Sequence, residues 1–247
     1  MATPITICVA NLQAGVATTK GIAHYITTWW KYWLPHSDKP LQNAGKLMKR
    51  EGVDIGFLIE VSGPSLQSGY RSQNDVVAES AGFSERRFFT MKDFRFFTHE
   101  GLGIISRYQL SNPRIHPLKK GILTWFLAEA TLEAEDRKIT LFLAHLALGP
   151  KVRAAQFKEI AEIIKHTTGP VILAGDFNEA AEEPFRMLLR ETQLTYMCGE
   201  KSFPSWRPKH AFDRVLLSQE FKIINQHIPE GEIVSDHLPL VVKAELE

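Results

Sequence analysis

Four apolar runs, far apart in the chain, each end on a carboxylate, carboxamide or imidazole. Residues 5–10 end at Asn11 and residues 55–59 at Glu60. Residues 171–174 run into Gly175-Asp176-Phe177-Asn178, and 233–234 into Ser235-Asp236-His237. An apolar run closed by clustered polar groups reads as a buried strand that delivers them to a sheet edge. A buried carboxylate is costly unless a cation or a donor compensates it. For one such residue a turn or cap is the simple account. Four together point to convergence on a single oxygen-rich site.

At 247 residues with 44% hydrophobic content, the chain supports a sizeable core and is too apolar for disorder. No repeat, low-complexity tract or composition shift marks a linker, so residues 1–247 read as one domain. The formal net charge of +1 argues against a strong nonspecific grip on DNA. Cys8 and Cys198 lack metal-ligand spacing; they read as free core thiols, with a Cys8–Cys198 pair as the alternative. A β-branched stretch begins almost at once, with no charged leader before it, and no run reaches membrane-span length. The expectation is a soluble, cytoplasmic protein.

Strand patterns fall at 4–10, 53–60, 102–106, 122–132, 138–145, 170–175, 212–217 and 239–245. Helical patterns fall at 40–51, 150–167 and 183–191. The helix at 150–167 is the clearest, with Val152, Ala155, Gln156, Glu159, Ile160, Ile163 and Ile164 as its expected stripe. Some strands follow one another through loops and others are joined by helices, which predicts an α+β fold with mixed sheets. The segment 12–39 is the least regular. It carries Tyr25, Trp29, Trp30, Tyr32 and Trp33. The expectation is a helix whose aromatics face the core. The alternative is a substrate-facing or membrane-touching surface, since the three tryptophans do not fit one narrow stripe.

Oxygen ligands without cysteine favour a hard cation, Mg²⁺ or Mn²⁺, over zinc. Mg²⁺ takes one or two carboxylates and keeps waters for a phosphate substrate, which suits Glu60 as a direct ligand with Asn11 and Asp236 beside it. His145 and His237 both follow strands. Asp213 offers His237 a carboxylate that would fix its tautomer and raise its basicity.

Seven blocks, in order, resemble the endonuclease/exonuclease/phosphatase superfamily, which includes pancreatic deoxyribonuclease, apurinic endonucleases, neutral sphingomyelinases and inositol-polyphosphate 5-phosphatases. They are Asn11-Leu12-Gln13, Leu58-Ile59-Glu60, the run 101–107, Ala144-His145-Leu146, Gly175-Asp176-Phe177-Asn178, Phe212-Asp213-Arg214-Val215 and Ser235-Asp236-His237. The likeness is to a small bacterial-type member. It implies a four-layer α/β/β/α sandwich of two mixed β-sheets flanked by helices, and a metal-dependent hydrolase.

By that resemblance Glu60 coordinates the metal, Asn11 supports it and Asp236 completes the metal side. Asp176 polarises or deprotonates water, and Asn178 holds a phosphoryl oxygen. Asp213 orients His237 against the scissile phosphate, and His145 donates to phosphate or to the leaving oxygen. The base falls to Asp176 or His237. Arg214 departs from the pattern; it is expected to face solvent, with contact to a substrate phosphate as the alternative. The loop 202–208 is expected to wall the site, with Arg207, Lys209 and His210 either making a second phosphate contact or lying on a solvated loop.

The expected reaction is in-line hydrolysis of a phosphodiester or phosphomonoester. A nuclease-type phosphodiesterase acting on DNA or RNA comes first, with Lys46, Lys49, Arg50, Arg71, Arg86, Arg87 and Arg107 as a candidate basic groove. A phosphoesterase for a lipid headgroup or small phosphate ester is the alternative, and a noncatalytic binding module comes last. No obligate protein partner is evident.

Overall fold

The strand at Thr3–Asn11 (β1) is buried on both faces, which is why it reads as a continuous apolar run. Ile5, Ile7 and Val9 point into the core between two sheets, while Cys8 and Ala10 lie in a second core under helices. In this computed structural model, residues 2–93, 96–119, 125–134, 136–197, 200–231 and 233–247 are described. Cys198 and residues 122–124 of the expected strand at 122–132 lie outside them.

The first sheet has β2 (Ile55–Ser62), β3 (Glu85–Asp93), β4 (His99–Ser106), β10 (Phe221–His227) and β11 (Leu240–Leu246) beside β1, in the order β10-β11-β1-β2-β4-β3. The second runs β5-β6-β7-β8-β9, from Gln109–Pro117, Phe126–Ala134, Arg137–His145, Val171–Asp176 and Asp213–Leu217. Helices α1 (Ile22–Thr28), α2 (Lys39–Arg50) and α3 (Gln73–Ala81) belong to the first half of the chain. Helices α4 (Pro150–Lys165) and α5 (Glu182–Thr192) belong to the second. Two mixed sheets face each other with helices outside, the expected sandwich.

Gly45 lets α2 lie close on α3, because a Cβ there would stand 2.5 Å from the Val77 carbonyl oxygen. The buried stripe of α4 is Arg153, Gln156, Phe157, Ile160, Ala161 and Ile164, rotated by about one residue from the expected one. Phe157 stacks with Phe177 and meets Phe185 of α5 edge-on, and these rings set the helix rotation.

Topology explains the convergence of polar residues. Each sheet holds one parallel pair, β1/β2 and β7/β8, and parallel strands end on the same side. Asn11 and Glu60 finish the first pair; His145 and Asp176 are register partners at the end of the second. β9 runs antiparallel to β8 and so begins there, with Asp213 opposite Asp176. β11 runs antiparallel to β1, so the 235–237 turn that precedes it reaches the same end.

Candidate active site

Backbone irregularities aim the side chains. Glu60 is the extra residue of a bulge, since Ile59 pairs with Leu102 and Val61 with Gly101. Its φ of 52° turns it out of the alternation that would otherwise send it to one sheet face. Gly175 has φ 154°, and a Cβ there would meet the Ala144 carbonyl oxygen at 2.0 Å. Only glycine allows β8 to press this close to β7 just before Asp176.

Asn11 Nδ2 donates to Glu60 Oε1 and to Asp176 Oδ2, both at 3.1 Å. Its Oδ1 accepts from the Gln13 backbone N–H. In this orientation Asn11 ties the two carboxylates together and turns its own oxygen away from them. His145 Nε2 stands 3.7 Å from Glu60 Oε1 and 3.9 Å from Asp176 Oδ2, with the Trp125 ring edge-on at 5.5 Å. Asn178 donates its amide to the Leu146 carbonyl, and its backbone N–H caps Asp176 Oδ1 at 2.9 Å.

His237 Nδ1 lies 2.8 Å from Asp213 Oδ2, which also accepts the Ser202 hydroxyl; His237 Nε2 points toward Asp176 Oδ2 at 3.8 Å. Burial alone would lower the imidazole pKa, but Asp213, Asp176 and Asp236 together raise it to about 10. Burial likewise drives the Asp213 carboxyl up, while His237 and Ser202 pull it back. We assign the charged form to both partners, because one imidazole faces three carboxylates. Asp236 accepts from the Tyr25 hydroxyl at 2.6 Å and from Ser235 Oγ at 3.0 Å.

The donor set suits a hard cation. Glu60 is pushed up mainly by burial; His145 and Asn11 offset part of this, while Glu100 and Asp236 add to it. Carboxylates crowded this way call for a positive charge among them. Asp176, Asp213 and His237 also lie close enough to share an ion. There Asp213 Oδ2 already accepts from His237 and Ser202, while its Oδ1 is buried without a partner.

The side chains open into a cleft of about 540 Å³, walled by Trp125, Leu148, Val152 and Phe203, with Lys92 at its edge. Phe203, from the 202–208 loop, packs 4.7 Å from His237 and gives that loop its place as a wall. Arg207, Lys209 and His210 are exposed, and His210 stacks on Phe212.

Two expectations change. Arg214 is not solvent-facing: it is only 4% exposed, lies 3.9 Å over the Phe185 ring and pairs with Glu182. The tryptophans of 29–33 do not face the core. Trp29, Trp30 and Trp33 are exposed, while Tyr25 and Tyr32 turn inward to Asp236 and Gln13. Tyr25 and Ser202 escaped the sequence reading. A hydroxyl on a short helix or in a loop carries no signal along the chain that would mark it as holding a carboxylate.

A model of the Endonuclease/Exonuclease/phosphatase family matches residues 10–237. The chain belongs to this family. A family protein from Bacteroides thetaiotaomicron has the same fold, with a TM-score of 0.76 at 14% identity, covering 100% of this chain and 99% of that one. A mannosyl-6-phosphatase of the same species gives a TM-score of 0.71 at 14% identity, over 97% and 99% of the two chains. The UPF0294 protein plu0699 of Photorhabdus laumondii is 29% identical over 136 residues. That match spans 53% of this chain and 50% of the relative, so about half of that protein's length is matched.

Proposed function

We propose that this protein is a divalent-cation-dependent phosphoric ester hydrolase that cleaves a phosphodiester by in-line attack of water. One observation carries the reading: Asn11 bridges Glu60 and Asp176 at the ends of two sheets, with His145 and the Asp213–His237 pair around them.

Glu60 would hold Mg²⁺ or Mn²⁺, with Asn11 and Asp236 supporting the seat, and the cation would supply Lewis-acid stabilisation of phosphoryl and leaving oxygens. Asp176, its other oxygen fixed by the Asn178 N–H, takes the proton from the attacking water as the new P–O bond forms. His237, held as imidazolium by Asp213, donates from Nε2 to the phosphoryl oxygens, where charge builds in the transition state. This assigns the base to Asp176. His145 donates a proton to the oxygen that departs as the old P–O bond breaks. Asn178 keeps one amide hydrogen for the phosphoryl group.

The surroundings favour a compact ester over a long polyanion. Arg107 pairs with Asp54 at the start of β2, whereas Glu60 lies near its end, roughly 20 Å away at about 3.3 Å per residue. Arg86 and Arg87 lie opposite Ile105 and Ile104, toward that same far end. Arg71 is engaged by Asp38 and Glu79. Arg86, Arg87 and Arg107 therefore supply no basic track beside the cleft, while Trp125, Leu148 and Val152 offer an apolar wall for a leaving group.

The test is turnover of bis(p-nitrophenyl) phosphate with Mg²⁺ or Mn²⁺, with plasmid DNA, single-stranded RNA, sphingomyelin and inositol phosphates assayed in parallel. Chelator-sensitive turnover of the small diester is expected. Turnover unaffected by chelator would refute the cation reading.

A further inference from the structure

Helix α1 and the 3-10 turn that follows it, Trp29–Tyr32, are amphipathic in the inverted sense. Ile22, Ile26, Trp29, Trp30 and Trp33 recur at helical spacing and form one stripe. That stripe faces solvent: Ile22 is 80% exposed, Ile26 73%, Trp29 62% and Trp33 50%. The polar side faces inward instead. Thr28 meets Thr18, His24 accepts from the Thr19 N–H, Tyr32 accepts from Gln13, and Tyr25 donates to Asp236.

The apolar surface extends beyond the helix. The Gln67 backbone N–H donates to the Phe97 carbonyl, and the Gln67 side chain donates to the Lys31 carbonyl. This brings the exposed Phe96 and Phe97 alongside the turn. At 150–250 Å² per large aromatic, the three tryptophans alone expose roughly 300 Å², already near the largest patch of an ordinary monomer.

We propose that this face docks on a lipid surface with anionic headgroups. Three of the chain's five tryptophans lie within five positions here, and tryptophan is the side chain that settles at a bilayer interface. Charge agrees. Before Asp38 the chain has no Asp or Glu at all, and the segment carries Lys20 and Lys31. An apolar stripe on a segment that carries lysines and no carboxylate fits an anionic interface. A second copy of this face would bring like charges together. Because Tyr25 fastens the helix to Asp236, docking would set the cleft beside the lipid headgroups. The docking itself stands without the reaction; that the ester is reached from the interface rests on the phosphoesterase reading.

The experiment is co-sedimentation of the full chain with phosphatidylcholine vesicles, with and without phosphatidylglycerol. The variants are Ile22→Ser/Ile26→Ser, Trp29→Ser/Trp33→Ser and Lys20→Glu. Binding that is stronger with phosphatidylglycerol is expected, and each double variant should lower the partition coefficient about tenfold or more. Lys20→Glu should weaken the preference for phosphatidylglycerol. Turnover of the soluble diester should stay at wild type in all three. Wild-type protein left in the supernatant with both vesicle types overturns the proposal. So does undiminished binding by both double variants, or a concentration-dependent dimer that the variants abolish. Vesicle binding without any diester turnover would instead sink the catalytic reading alone.

Discussion

Asn11 Nδ2 donates to Asp176 Oδ2 at 3.1 Å, joining the last residue of β1 to the last residue of β8 across the two sheets. The same nitrogen reaches Glu60, so one amide sets the spacing of two carboxylates. Replacing it with a carboxylate would put a third negative charge in their midst. Asn11→Asp should lose about tenfold or more in kcat, as loss of an outer positioning contact does. Asn11→Ser, which keeps a donor, should fall between. Steady-state kinetics on the small diester decides it, and an unchanged kcat in Asn11→Asp would remove Asn11 from the machinery.

Asp176→Asn removes the proposed base and should lower kcat on the order of a hundredfold or more. Asp213→Asn keeps the shape of the His237 contact but not its charge, and should cost on the order of tenfold to a hundredfold. Binding of substrate, read as KM, should move far less. Wild-type kcat in Asp176→Asn would move the base elsewhere.

Glu60 is half-buried beside Glu100 and Asp236 with too little positive charge to balance them. In metal-free protein Glu60→Gln should therefore raise the Tm at neutral pH. Mg²⁺ should raise the Tm of the wild type through binding to the folded state, and should leave Glu60→Gln nearly unmoved. Differential scanning fluorimetry with and without chelator measures both. A Mg²⁺ response equal in the two proteins would place the cation elsewhere.

Glu182 accepts from the Tyr196 hydroxyl and pairs with Arg214; these hold its carboxyl below the ordinary glutamate range against a smaller opposing effect of burial. A depressed folded-state pKa gives stability that is fully present above the ordinary value of 4.5 and is lost as pH falls through the folded value. The Tm advantage of wild type over Glu182→Gln should be greatest near neutrality and shrink below about pH 4.5. An advantage that grew on acidification would reverse the assignment.

Much of the strand pattern was legible in the sequence. The strands with two neighbours announced themselves as apolar runs. The three overlooked strands, β3, β5 and β10, are all sheet edges. An edge strand has one neighbour and an exposed flank, so its residues mix freely and its period blurs, as in the largely exposed β5. The segment 12–39 misled too. Its aromatic content suggested burial, and only packing showed that the tryptophans point outward. Arg214 was misjudged because its charge suggested water, while the ring of Phe185 and the carboxylate of Glu182 made burial affordable.

By itself, the sequence determined the polar residue that closes each core strand, because strand burial and chemical type are local properties read along one chain. The tertiary structure alone decided that these ends meet. Distances between Asn11, Glu60, Asp176 and His237 depend on strand order and on which strands run parallel, and both follow from packing two sheets face to face. The bulge at Glu60 and the hydroxyls of Tyr25 and Ser202 belong to that second class, since their partners lie in other elements.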